Sequence, residues 1–156
     1  MVNVIGLGYI GLPTALMMAS HGVEVIGTDY NTELVKTLNN GKTTFKEDGL
    51  EDLFHDAVDA GIIFSTEYQV ADTYIISVPT PYDKKFKTVD ASYVVKGVES
   101  VLEVALENAT IVIESTITSG VTNPPSIASA TRNGLRVEPA GRGLMAVFTC
   151  PSSCPK

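Results

Sequence analysis

The chain has 156 residues, 44% of them hydrophobic, which is enough to bury one proper core and too few for two ordinary domains. Its formal charge of -7 argues against a nucleic-acid partner or an anionic membrane, because neither polyanion gains from meeting an acidic surface. No run of about eighteen apolar residues occurs and no basic leader precedes Val4 to Leu7, so the sequence reads as cytoplasmic. Cys150 and Cys154 are the two cysteines, too few for a disulfide framework.

In chain order, Val2 to Ile5 is a short apolar run of β type that ends at Gly6, and Ile10 to Ser20 is apolar enough for a buried helix, with Pro13 tolerated in its first turn. Gly22 closes that helix, and Val23, Val25 and Ile26 supply a second strand running into Asp29. Asn31 is placed to cap a helix over Thr32 to Leu38. A further helix is expected from about Asp48 to Ala60, where Leu50, Leu53, Phe54, Ala57 and Val58 share one face. Ile62 to Ser65 and Tyr74 to Val78 read as strands, the second stopped by Pro79 and Pro81. Asp90 to Asn108 is the most regular helix, with Val94, Val98, Val101, Leu102 and Ala105 as its apolar stripe, and Thr110 to Ile113 is a fifth strand. Strands alternating with helices require crossover connections, so the expected fold is α/β, a doubly wound parallel sheet of Rossmann type in a single domain.

Composition changes after Thr122. Residues 1–122 hold no arginine, seven lysines and seventeen of the eighteen acids, whereas residues 123–156 hold all three arginines, both cysteines and five of the eight prolines. The sequence therefore divides into a core over 1–122 and an atypical continuation over 123–156, in which Ser126 to Arg132 reads as helix and Leu135 to Val137 and Leu144 to Phe148 read as strands. A domain boundary, a splice, an artificial extension or a shifted reading frame would each give such a break. The continuation is expected to be less protected from hydrogen exchange than the core.

Gly6, Gly8 and Gly11 form G-x-G-x-x-G between a strand and a helix, with Asp29 at the end of the next strand, the dinucleotide-binding arrangement in its full context. Gly6 permits the tight turn, Gly8 lets backbone approach a pyrophosphate, and Gly11 lets helix pack on strand. Unpaired amides at the helix N-terminus suit phosphate charge. Asp29 suits ribose hydroxyls and repels a 2′-phosphate, so NAD is expected over NADP.

Gly6-Leu-Gly-Tyr-Ile-Gly-Leu-Pro13, Gly27-Thr-Asp29, Val78-Pro-Thr-Pro81 and Glu114-Ser-Thr116, in that order and spacing, resemble the NAD-binding domain of the UDP-glucose/GDP-mannose dehydrogenase family over about residues 1–122. The first of these and the segment Pro79 to Tyr93 are most similar to the branch that oxidises UDP-N-acetylmannosamine, with the enzymes of UDP-N-acetylglucosamine or UDP-glucose as near alternatives. The resemblance implies NAD contacts from Gly6, Gly8, Tyr9, Ile10, Gly11 and Asp29. It further implies Val78, Pro79 and Thr80 along the adenosine and ribose side, and Thr116 near the nicotinamide, where it is the one candidate catalytic residue. It implies a UDP-sugar as second substrate, two successive oxidations of a sugar C6 alcohol to a carboxylate, and a homodimer for the full-length enzyme.

Where the family has a Pro-Glu pair, Cys150-Pro151-Ser152 stands here, and serine cannot act as the base. Neither cysteine matches the family's nucleophile, no metal site is expected, and the chain alone is expected to bind NAD without sugar-oxidising turnover. The Lys84 to Lys87 run reads as a solvated loop. The rival reading is a non-catalytic NAD-binding or sensor domain.

Overall fold

In a computed structural model, residues 1–85 and 88–115 are described, Asp83 and Thr88 by backbone alone, as are Arg136–Pro139 and Met145–Thr149. Five strands form the parallel part of the sheet: β1 (Val2–Ile5), β2 (Val25–Thr28), β3 (Ile63–Ser65), β4 (Thr73–Ile76) and β7 (Thr110–Glu114). They lie in the order β3-β2-β1-β4-β7, so the chain winds outward from β1 in one direction and then returns to build the other. Register runs Val2 to Ile5 against Val25 to Thr28 on one side and against Thr73 to Ile76 on the other.

Alternation along each strand assigns the two faces. Val4, Val25, Phe64 and Ile75 face α1 (Gly11–Ser20), α2 (Thr32–Asn39) and α3 (Leu50–Asp59), where they pack with Leu12, Leu16, Leu38 and Phe54. Ile5, Tyr74, Ile76, Ile111 and Ile113 face α4 (Ser92–Val104) and pack with Val94, Val98 and Val101. Phe54 and Phe64 stack with ring centroids 5.9 Å apart. Within this apolar interior, Asn3 is fully buried and satisfied: Thr28 Oγ1 donates to Asn3 Oδ1 at 2.9 Å, and Asn3 Nδ2 donates to the Gln69 carbonyl at 3.3 Å.

Helix ends follow local chemistry. Asn31 Oδ1 accepts from the amides of Glu33 and Leu34, which caps α2 as its position before the apolar run predicts. The α4 helix is shorter than expected, ending at Val104 rather than near Asn108, where the backbone takes a left-handed turn (φ 67) that feeds β7. At the chain start, the Met1 amine donates to Asp72 Oδ2 at 2.8 Å, which ties the beginning of β1 to that of β4.

Two features depart from the expected all-parallel pattern. β8 (Arg136–Pro139) and β9 (Met145–Thr149) extend the sheet beyond β7, with β9 antiparallel to β7 and β8 antiparallel to β9. Only five residues separate the two strands, too few for the crossover that a parallel pair requires, and enough for a hairpin. A small separate hairpin, β5 (Tyr82–Asp83) and β6 (Thr88–Val89), occupies the segment read as loop, with Lys84 and Lys85 exposed at its turn. The helix expected over Ser126 to Arg132 and the composition break after Thr122 lie outside the described residues.

Candidate functional site

The glycine turn between β1 and α1 is built by steric exclusion. Gly6 has φ +90, and a Cβ there would stand 2.7 Å from the Ser77 carbonyl oxygen, so a side chain is excluded both by conformation and by space. A Cβ at Gly11 would overlap the Gly6 carbonyl oxygen, which is why the first turn of α1 can lie directly on the turn that precedes it. Gly8 differs: no described atom comes within 4 Å of its Cβ position, so backbone there borders open space.

That open space is part of a cleft of about 1070 Å³ along the carboxyl ends of the parallel strands, walled by Gly6, Gly8, Tyr9, Ile10, Asp29, Val78, Pro79 and Thr80. Eight of the ten residues singled out for the cofactor thus meet in one cavity, slightly larger than the roughly 300–1,000 Å³ usual for ligand sites. Gly11 sits beneath the turn and does not line the cleft. Thr116 lies outside the described residues, as do Cys150, Ser152 and Cys154. Tyr9 and Ile10 are exposed at the mouth, where the Tyr9 ring leans on Phe45 at 4.4 Å between centroids.

Asp29 has only 8% of its surface exposed. The Leu7 amide donates to its Oδ2 at 2.8 Å and the Asn31 amide to its Oδ1 at 2.9 Å, so the carboxylate locks the glycine turn to the start of α2. Each carboxylate oxygen accepts at two lone pairs, which leaves acceptor capacity directed at the cleft that Asp29 borders.

Several lining residues were not foreseen. Tyr93, Lys96, Gly97 and Ser100 reach the cleft from α4 at a three-and-four spacing, a stripe of mixed character beside the apolar face of that helix. Tyr68 lines the same wall. Burial pushes its hydroxyl above the usual tyrosine range, the hydrogen bond with Ser100 opposes that shift, and the charge of Asp29 adds to it. At the far end stand Ser77, Glu114 and Ser115. Ser77 Oγ donates to Glu114 Oε2 at 2.9 Å, Thr14 Oγ1 donates to the same oxygen at 3.4 Å, and Ser115 Oγ donates to the Val78 carbonyl at 2.8 Å.

The arrangement offers a helix N-terminus and a bare glycine backbone at its centre, with a carboxylate acceptor to one side. These features accept a diphosphate and a pair of vicinal hydroxyls, the two ends of an adenosine diphosphate.

Comparison with known proteins agrees with that chemistry. Residues 1–151 match the model of the UDP-glucose/GDP-mannose dehydrogenase family, NAD binding domain. The chain is 46% identical over 120 residues to a UDP-N-acetyl-D-mannosamine dehydrogenase of Methanococcus vannielii, covering 74% of this chain and 28% of that protein. Among solved structures, the UDP-N-acetyl-mannosamine dehydrogenase of Staphylococcus aureus superposes with a TM-score of 0.79 at 35% identity, covering 86% of this chain and 33% of that one. The Pyrococcus horikoshii UDP-D-ManNAc dehydrogenase gives 0.75 at 33% identity, with 87% and 33% covered. The chain therefore spans 27–28% of the length of curated relatives such as these.

Proposed function

The chain belongs to the UDP-glucose/GDP-mannose dehydrogenase family, as its NAD-binding domain, and from that premise we propose that the cleft holds NAD for the oxidation of a UDP-sugar, UDP-N-acetylmannosamine in the first instance. One observation carries the binding reading: Gly8, just ahead of the N-terminus of α1, opens its bare backbone into the cleft that Asp29 also lines. In this reading the Gly8 to Ile10 backbone receives the pyrophosphate, Asp29 accepts from the adenosine ribose, and Val78, Pro79 and Thr80 line the adenosine side. Thr116 belongs to the nicotinamide side.

When bound, NAD supplies the hydride acceptor. The residues of this chain bind and orient it, and the closely packed Gly6 and Gly11 keep the turn rigid enough to do so. The choice of sugar rests on the 46% identity to the mannosamine-type relative, since the residues lining the cleft are those that would hold the cofactor. An NAD-linked reaction on a soluble nucleotide sugar places the protein with those substrates in the cytoplasm. A homodimer is the assembly expected of the complete enzyme, and light scattering tests it.

The activity is tested by absorbance at the NADH band, using the complete protein that carries this domain and UDP-N-acetylmannosamine, UDP-N-acetylglucosamine and UDP-glucose in parallel. The expected result is steady NADH formation, fastest with UDP-N-acetylmannosamine and abolished by Gly8→Trp, which puts an indole where the pyrophosphate would lie. NADH formation unaffected by Gly8→Trp would refute the assignment of the site.

A further inference from the structure

We propose that Glu114 sets the redox preference of the cleft, favouring the oxidised, cationic nicotinamide over the reduced one; this rests on the reading of the cleft as an NAD site. The placement follows from topology. β2 and Asp29 lie on one side of β1, while β4 and β7 lie on the other. A dinucleotide with its adenosine ribose at Asp29 and its pyrophosphate at Gly8 must extend its second half towards the ends of β4 and β7. Glu114 ends β7 and lines the cleft there.

Its carboxylate is held in place rather than free to swing. Ser77 Oγ, from the end of β4, donates to Oε2 at 2.9 Å, and Thr14 Oγ1, from the first turns of α1, donates to the same atom at 3.4 Å. Three elements therefore fix one negative charge at the half of the cleft opposite Asp29. Of the charged side chains among the described residues of the wall, Asp29, Lys96 and Glu114, only Glu114 stands at the end of a strand on the β4 and β7 side.

The nicotinamide ring carries one positive charge in NAD+ and none in NADH. Taking up a hydride, two electrons and a proton from a substrate C–H bond, cancels that charge, while the hydroxyl proton of the substrate leaves separately. A fixed carboxylate near the ring is attracted to the ring before that transfer and loses the attraction after it. The pyrophosphate and adenosine are common to both forms, so the effect falls on the affinity for NAD+ and appears in the ratio of the two affinities.

The experiment measures Kd for NAD+ and for NADH by calorimetry on the unaltered chain, Glu114→Gln, Glu114→Asp and Ser77→Ala. Glutamine has the same shape and still accepts from Ser77 and Thr14, so it removes the charge with little change in geometry. The ratio Kd(NADH)/Kd(NAD+) should fall roughly tenfold in Glu114→Gln, which is about 30 mV for a two-electron couple. Glu114→Asp and Ser77→Ala, which keep the charge, should stay within about threefold of the unaltered ratio. A Glu114→Gln ratio equal to that of the unaltered chain overturns the inference, as does an equal fall in Ser77→Ala, which would assign the effect to geometry. If glutamine abolishes folding, a ratio in Glu114→Asp that moves the opposite way overturns it, and one that is retained supports it. An unaltered chain that binds neither form refutes the NAD reading itself, a result distinct from binding of both forms at one unchanging ratio.

Discussion

Replacing Asp29 with alanine should destabilise the protein even with no cofactor bound. Asp29 Oδ2 accepts from the Leu7 amide at 2.8 Å in a buried setting, and Oδ1 accepts from the Asn31 amide at 2.9 Å nearer the surface. Hydrogen bonds to a charged acceptor contribute about 1.5–3 kcal/mol each, and a buried amide left without a partner costs about 1–3 kcal/mol. The Asn31 amide regains water after truncation, so its loss counts for little, whereas the Leu7 amide does not. A net loss of about 2–4 kcal/mol follows, and for a chain of this size each kcal/mol lowers Tm by roughly 2–4 °C. Scanning calorimetry without cofactor should therefore show Tm lower by about 5–15 °C. A fall of less than about 2 °C would mean that the Leu7 amide is satisfied without Asp29 and that the carboxylate has no structural role. Cofactor affinities of this variant should accordingly be measured well below its own Tm.

Gly6→Ala and Gly8→Ala separate strain from occlusion. The first meets a positive φ and a carbonyl oxygen at 2.7 Å and should lose about 2–4 kcal/mol in urea unfolding, whereas the second has open space and should keep its stability while losing affinity for NAD in fluorescence titration. Phe54→Ala removes a ring that is 1% exposed and stacked on Phe64, and should cost about 3–5 kcal/mol by the same unfolding assay. The Met1 amine is raised above its usual 8.0, first through its hydrogen bond to Asp72, and Asp72 is lowered below 3.8 through the same bond. A raised amine stabilises below its unfolded pKa and loses that effect as pH rises through its folded pKa. A lowered carboxyl stabilises above its unfolded pKa and loses that effect as pH falls through its folded pKa. Asp72→Asn should thus reduce Tm slightly between about pH 4 and 8, and the difference should fade at either extreme in a pH series of thermal melts.

The parallel sheet was legible because its strands carry contiguous apolar runs. Tyr74 to Ile76 is buried on both faces and Ile111 to Ile113 packs against the core on both, with Val112 partly exposed, and such segments have few alternatives to a central strand. The glycine turn was legible for the same kind of reason: Gly6 and Gly11 admit no side chain, so the sequence must state them. The five-residue connection makes β8 and β9 antiparallel to each other, but the direction of β9 against β7 is a pairing choice made by the rest of the sheet, and strand periodicity carries no information about it. The β5 and β6 hairpin has two-residue strands around a Lys-Lys turn, too short for any period to register.

In the cleft, Asp29 could be read from its distance to Gly11, but its bonds to the Leu7 and Asn31 amides depend on how the turn folds back over β2. The α4 contribution was present as a stripe at Tyr93, Lys96, Gly97 and Ser100, mixed in character and so masked by the apolar face beside it. Glu114 was visible only as a member of the Glu-Ser-Thr run. Its partners Ser77 and Thr14 lie 37 and 100 residues away, and only the fold brings the three together.

Calorimetric titration of the chain with NAD+ and NADP+ tests most directly whether the cleft is an NAD site governed by Asp29. NAD+ should bind at least about tenfold more tightly than NADP+, because Asp29 places a carboxylate where the 2′-phosphate would lie. In folded Asp29→Ala, affinity for NAD+ should fall by about 1.5–3 kcal/mol and the preference should shrink. Equal affinity for the two dinucleotides, or a preference untouched by Asp29→Ala, would contradict the assignment.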